Sequence, residues 1–481
     1  MSDRALWRTE TMAAAMRAET VGPLPSGISG ISIDTRTIAP GEAFFAIKGD
    51  SHDGHKFVPM ALAGGAGLVV VAAGRQAEMP SNAPLLLVPD VLAGLVDLAQ
   101  AARARSTARI AAVTGSVGKT GTKEALRLAL SADGETHASA ASYNNHWGVP
   151  LSLARMPQSA AFGVFELGMN HAGEITPLTR LVRPHVAVIT TIEPVHLEYF
   201  GSLEAIADAK AEIFAGIESG GAAVLNRDNG QFARLAEAAR VAGVSRVVSF
   251  GEHDQADARL LKVSLQPDCS TVRASILGSE ITYKLGAPGR HVVLNSLAVL
   301  AAASLLGADL ALAALALARL EPPAGRGARV TLTLPTGSAL LIDESYNANP
   351  ASMRAALALL GQAPIGSRGR RIAVLGDMLE LGPEGPALHR ALSQPVIDSD
   401  VDLAFCSGPL MRELWDALPS DCRGAYAPES AGLEAEVLAA IRDGDAVMVK
   451  GSLGSRMGPI VKALTNRYTR HAAHEAAPAE G

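Results

Sequence analysis

Two sets of short apolar runs constrain this chain more than any other feature. The first set is "RIAAVTG", "FGVFELG", "HVAVITTI" and "GAAVLNRD", separated by helical patterns such as "LEAIADAKAEIFAGI". The second is "ALLIDES", "RIAVLGD", "DLAFCSG" and "AVMVKGS". A strand covered on both faces reads as a continuous apolar run, and strands that alternate with helices pair in parallel through crossovers. The sequence therefore predicts an α/β fold with two mostly parallel sheets.

The 481 residues exceed what one core accommodates, so several domains are expected. Residues 1–88 carry short apolar runs between Gly- and Pro-rich turns and read as a small α/β N-terminal domain. Residues 89–320 hold the first set of runs and 321–481 the second, a central and a C-terminal α/β domain. The Ala/Glu/Pro-biased end predicts a disordered tail from about residue 470. The apolar stretch from His291 is interrupted by Asn295, Ser304 and Asp309. It predicts two buried helices broken at Gly307-Ala308-Asp309 and no membrane insertion.

A formal net charge of −6 argues against nucleic-acid binding, which needs a basic face. Cys269, Cys406 and Cys422 lie far apart and form no CxxC, so neither a disulfide framework nor a zinc site is expected. With a polar, charged start, "MSDRALWRTE", the chain reads as a cytoplasmic protein.

Between the strand candidate "RIAAV" and the helical "KEALRLAL" lies "TGSVGKTG". A Gly-rich turn from strand to helix is the setting a phosphate loop requires, because backbone N–H groups and the helix N-terminus both favour an anion. Gly115, Ser116, Val117, Gly118, Lys119, Thr120 and Gly121 are the nucleotide-binding candidates. Lys119 would neutralise β- and γ-phosphate charge, and the Thr120 hydroxyl would ligate Mg²⁺. The strict motif wants a glycine at position 113, where this chain has Val113.

Other segments follow one family's order. "SIDTRTIAPGEAFFAIKGDSHDGHKFV" precedes the loop. "SYNNHWGVPLSLAR", "VFELGMNHAGEI", "HLEYFGSLEAIADAKAEIF", "GRHVVLNSLAVLA", "LIDESYNANPASM", "LGDMLELG" and "VKGSLGSRM" follow it. With them the chain resembles the Mur ligase family over nearly its whole length. That family's loop has the short form T-G-x-x-G-K-T/S and lacks the glycine at 113. The first segment has no GxGxxG and the last domain no D-N-P-R, whereas "DESYNANP" and "LGDMLELG" resemble the branch that adds D-alanyl-D-alanine. The resemblance implies a central domain of P-loop type and a Rossmann-like C-terminal domain. It implies an ATP-dependent ligase, expected as a monomer, that joins D-alanyl-D-alanine to UDP-N-acetylmuramoyl-tripeptide through an acyl phosphate. The product would be the pentapeptide precursor of peptidoglycan.

Individual positions carry over as expectations. Glu166 ends an apolar strand, where a carboxylate faces the ligand crevice and suits Mg²⁺. His196 matches the ligand of a second Mg²⁺. Lys210, on an amphipathic helix, would ordinarily be a solvated lysine; the resemblance implies that CO₂ carbamylates it, making an anion that positions the second metal. Lys119, Glu166, His196 and Lys210 form the expected catalytic set, and Thr120, Glu166, His196 and Lys210 the metal set. Asn295, with His291 on the same helical face, suits the adenine edge. Arg326 would reach the phosphates, Asp343 the ribose, and Tyr346 and Asn347 would flank the nucleotide. Ser32, Asp34, Thr35 and Arg36 form a polar turn used near the uridine diphosphate, with Arg36 as diphosphate partner. Asn144 and Asn145 resemble the substrate-side loop, and Asn349, Lys450 and Ser452 are candidates near the dipeptide. A regulatory module that binds nucleotide without chemistry would need the loop alone, not both metal positions.

Overall fold

A computed structural model gives the protein's structure and describes residues 5–49, 52–140, 142–195 and 197–475. Three large sheets account for most strands. The first has the order Glu19–Val21, Leu85–Val88, Leu68–Ala72, Ala43–Phe45, Ile31–Ser32, and is parallel apart from its first pairing. The third runs Ala328–Leu334, Gly337–Glu344, Ala446–Lys450, Arg371–Gly376, Leu403–Ser407, Arg423–Ala427, again with one antiparallel edge pairing.

The middle sheet positions the site. Arg109–Thr114 lies at its centre, with Phe162–Glu166 on one side and Val186–Ile189 on the other, all parallel. Its alternate residues enter opposite cores. Ala111 and Val113 pack with Leu126 and Leu297, while Ile110 and Ala112 pack with Val149, Leu178 and Ile206. Burying each such leucine stabilises the fold by about 1.5–3 kcal/mol, so the strand cannot slip register without exposing one face. Because the chain turns to opposite sides of this strand, a crevice opens at its carboxyl end.

Beyond the parallel strands, Ala258–Leu265, Ser270–Ile276 and Ser279–Leu285 extend the same sheet as an antiparallel meander, which the strand-helix rhythm did not predict. The local signal is alternation: "STVRASI" is buried at every second residue. The two-residue turn Leu277-Gly278 has φ of 49° and 91°, the sign a tight hairpin demands.

The long apolar stretch folds as two helices, Arg290–Leu305 and Leu310–Ala316. Gly307 takes a φ of +85° at the break, and the Asp309 carboxylate accepts from the Leu312 N–H at 2.8 Å. Among the described residues no helix is long and apolar enough to cross a membrane. Helix Val91–Arg105 serves two cores, Leu95 and Leu98 closing the first sheet and Ala99 joining the middle one. The last helix runs Gly458–Glu475, past about residue 470 where the tail is expected to begin; residues 476–481 lie outside the described set. All three cysteines are buried free thiols.

Candidate active site

The turn after the central strand is a formed loop. Gly115 has φ +144°, and a Cβ there would collide with Thr190 Oγ1. Gly118 has φ +85° and caps helix Lys119–Leu130; a Cβ there would fall 2.6 Å from Asn295 Nδ2. Only glycine fits either position. The loop is clasped to the strand end beside it. Ser116 Oγ accepts the Glu193 N–H at 2.9 Å and donates to the Glu193 carbonyl at 3.1 Å, and the Thr190 hydroxyl donates to the Val117 carbonyl.

Lys119 Nζ donates to the Gly115 carbonyl at 2.8 Å, so the ammonium curls over its own loop. Burial of the ammonium lowers its pKa and the nearby positive Arg326 adds to that, while Glu166 opposes it. The loop therefore presents a cation that is poorly hydrated and electrostatically available to an anion.

Glu166 is 1% exposed. Its Oε2 accepts from the Thr120 hydroxyl at 2.8 Å and its Oε1 from Asn144 Nδ2 at 2.8 Å. A hydroxyl and a carboxylate held side by side beside a phosphate loop are hard oxygen donors, a fit for Mg²⁺. Among the described residues no three His, Cys, Asp or Glu side chains converge as a metal cluster. The expected ligand His196 lies outside the described residues.

Lys210, on helix Leu203–Ala211, departs from the solvated lysine its helix pattern suggests. It is 2% exposed, and among the described residues its ammonium has no hydrogen-bond partner. Burial, then the charge of Lys119, hold its pKa well below the usual lysine value. Both effects disfavour the charged ammonium relative to the uncharged amine.

A cavity of about 580 Å³ lies over the loop, walled by two units. From the middle unit come Ser116–Lys119, Asn144, Glu166, His291 and Asn295; from the C-terminal side come Arg326, Glu344, Tyr346, Asn347, Asn349 and Lys450. Arg326 stacks over the Tyr346 ring at 4.4 Å and donates to Ser142 Oγ at 3.3 Å, bridging the two walls. Lys450, 1% exposed, donates to Glu344 Oε2 at 3.2 Å and to the Asn347 carbonyl at 2.9 Å.

Other expected site residues are engaged elsewhere. Asp343 does not line the cavity: Oδ2 accepts from the Gly325 N–H at 3.1 Å and Oδ1 from the Ser345 hydroxyl at 2.6 Å. Ser452 Oγ donates to the Ala348 carbonyl and accepts from the Leu379 N–H. Asn145 Oδ1 caps the Gly148 N–H at 2.9 Å. Asn349 touches the cavity, but its side chain accepts from the Ser352 N–H and completes a capping box on helix Pro350–Gly361. Asn349→Ala should therefore lower stability by about 1 kcal/mol, read as a fall in denaturant midpoint. In the first unit, Ser32 is buried and bonded to Asp34. Thr35 contacts the Met60 sulfur, and Arg36, 85% exposed at its side chain, pairs with Asp34 at 2.6 Å. None of these four reaches the cavity.

Sequence reasoning missed Glu193, which lines the cavity from the strand end that clasps the loop. It lies three residues before the expected His196, between "HVAVITTI" and "HLEYFGS", and nothing local marks its side chain as facing a ligand.

Comparison with known proteins is consistent along the chain. Residues 27–103 match the Mur ligase family catalytic domain, 113–303 the Mur ligase middle domain, and 328–453 the Mur ligase glutamate ligase domain. A UDP-N-acetylmuramoyl-tripeptide–D-alanyl-D-alanine ligase of Rickettsia prowazekii is 30% identical over 95% of this chain and 99% of its own. A crystal structure of MurF from Acinetobacter baumannii superposes with a TM-score of 0.80 at 29% identity, covering 96% of this chain and 99% of that one. MurF ligase from Thermotoga maritima, solved in complex with ADP, shares the fold at a TM-score of 0.73 and 24% identity, over 91% of this chain and 98% of that one.

Proposed function

The chain belongs to the Mur ligase family, and from that premise we infer an ATP-dependent ligase that adds D-alanyl-D-alanine to UDP-N-acetylmuramoyl-tripeptide. The observation that carries this reading is the single two-walled cavity. It holds Lys119 and Glu166, the latter bonded to Thr120, on one side and Arg326 and Lys450 on the other.

Joining a carboxylate to an amine in water is uphill, so the carboxylate is activated first. The peptide carboxylate attacks the γ-phosphorus of ATP, releasing ADP and leaving an acyl phosphate. The dipeptide amine then attacks that acyl carbon, the C–N bond forms, and phosphate leaves. Two anions meet in the first step, which needs concentrated positive charge. Lys119 and Arg326 supply part of it. Two Mg²⁺ ions would supply the rest, Thr120 and Glu166 holding one and His196 with carbamylated Lys210 the other. Asn144 orients Glu166 so that its oxygens stay directed at the loop. The carbamate forms when the neutral Lys210 amine adds to CO₂ and loses a proton.

We assign residues 1–88 to UDP-substrate binding, 89–320 to ATP binding and 321–481 to closing the site. Ser32, Asp34, Thr35 and Arg36 lie on the UDP side, where Arg36 exchanges Asp34 for the diphosphate. His291, Asn295, Tyr346 and Asn347 border the nucleotide. Asp343, Asn349 and Ser452 act by shaping the wall. The protein works as a monomer in the cytoplasm, each required group coming from one chain and its free thiols suiting a reducing compartment.

Phosphate release in the presence of ATP and a UDP-muramoyl-tripeptide tests the reading. D-Alanyl-D-alanine should drive it and single amino acids should not. A UDP-muramoyl-dipeptide with diaminopimelate or lysine should give no product; efficient ligation there would place the chain in another branch.

A further inference from the structure

We propose that Glu193 is the group that receives the incoming dipeptide's ammonium and takes its proton as the amine attacks; the proposal rests on the ligase reading above. A dipeptide arrives protonated, and an ammonium has no lone pair to attack with. The site must bind that cation next to the acyl phosphate and then remove one proton.

Four carboxylates line the cavity: Glu166, Glu193, Glu321 and Glu344. Glu166 has both oxygens occupied by Thr120 and Asn144. Glu344 is paired with Lys450. Glu321 is exposed on the linker between the units. Glu193 alone is half-buried, close to the phosphate loop and nearly unengaged. Its Oε1 has a marginal 3.4 Å contact from the Thr191 hydroxyl, and among the described residues Oε2 has no hydrogen-bond partner. The Ser116 clasp fixes its backbone to the loop that grips the transferring phosphate. The positive charge of Arg354, on helix Pro350–Gly361 of the C-terminal unit, acts on it in the opposite sense to burial. Burial raises its pKa, which favours proton uptake over that of an ordinary surface glutamate.

In the step itself, the ammonium gives one proton to a Glu193 oxygen, and the freed lone pair of the nitrogen forms its bond to the acyl carbon. The C–O bond to phosphate breaks, the second N–H proton leaves with the departing phosphate, and Glu193 later returns its own proton to water. No further reactant is needed.

Hydroxylamine separates the two half-reactions, because it is a neutral nucleophile near pH 7 and captures an acyl phosphate as a hydroxamate without a base. Glu193→Gln keeps the shape of the side chain, and the Ser116 clasp uses only the backbone. With ATP, the UDP-muramoyl-tripeptide and hydroxylamine, Glu193→Gln should form hydroxamate within a few-fold of wild type. Its ligation of D-alanyl-D-alanine should fall about a hundredfold or more. Glu193→Asp, which keeps the carboxylate, should recover part of the loss. Ligation by Glu193→Gln within a few-fold of wild type would overturn the proposal. So would parallel loss of hydroxamate and ligation in both variants. A wild-type protein that makes neither product would instead overturn the ligase reading itself.

Discussion

Lys119→Ala should lower the rate of ATP-dependent phosphate release by about a hundredfold or more, the usual consequence of removing one positioned electrostatic contact to a transferring group. The variant should still fold. Ser116, Thr190 and the two positive-φ glycines hold the loop, and none of those interactions involves the lysine side chain. What disappears is one ammonium that the protein keeps partly desolvated against its own carbonyls, ready to be exchanged for phosphate oxygens. Turnover is measured beside a thermal melt. A melt like wild type with turnover within a few-fold would sink the loop assignment.

The second large effect is at Lys210. A plain ammonium there would repel Mg²⁺ by several kcal/mol in a poorly hydrated site. A carbamate at the same place attracts it. Lys210→Ala should be nearly inactive, and acetate should partly restore it by filling the vacated anion position. Lys210→Arg should stay inactive with or without acetate, since it keeps the positive charge and cannot be carbamylated. Lys210→Ala should fold, because among the described residues the ammonium makes no hydrogen bond whose loss would leave a buried partner stranded. Full activity of Lys210→Arg would remove the carbamate.

Lys210 also shows where sequence reading meets its limit. A lysine on an amphipathic helix is ordinarily solvated, yet this side chain is 2% exposed. It lies on the buried face of its helix, four residues after Ile206 and three after Ala207, while Glu204 and Asp208 on the opposite face are exposed. Residue type predicted solvent, and packing decided otherwise. Asp343, Ser452 and Asn349 fail in the opposite direction. Each is polar at the end of a strand or the start of a helix, the usual position of a ligand contact. Each uses its side chain on backbone or neighbouring side-chain groups in the C-terminal unit. A short polar side chain at an element end serves a cap or a ligand with the same atoms, and residue type does not tell them apart.

By itself the sequence determined the strand-helix rhythm, the phosphate loop between "RIAAV" and "KEALRLAL", and the break at Gly307-Ala308-Asp309. These depend on interactions within a few residues: backbone sterics at glycine, apolar runs long enough for one strand, a carboxylate three positions before an N–H. Only the tertiary structure decided which polar atoms remain free. Glu166 is held by Thr120, 46 positions away, and by Asn144, 22 away. The loop is fixed by Glu193, 77 positions from Ser116. The free valence of a side chain is whatever its neighbours leave unused, and those neighbours are brought together by core packing that no local pattern encodes.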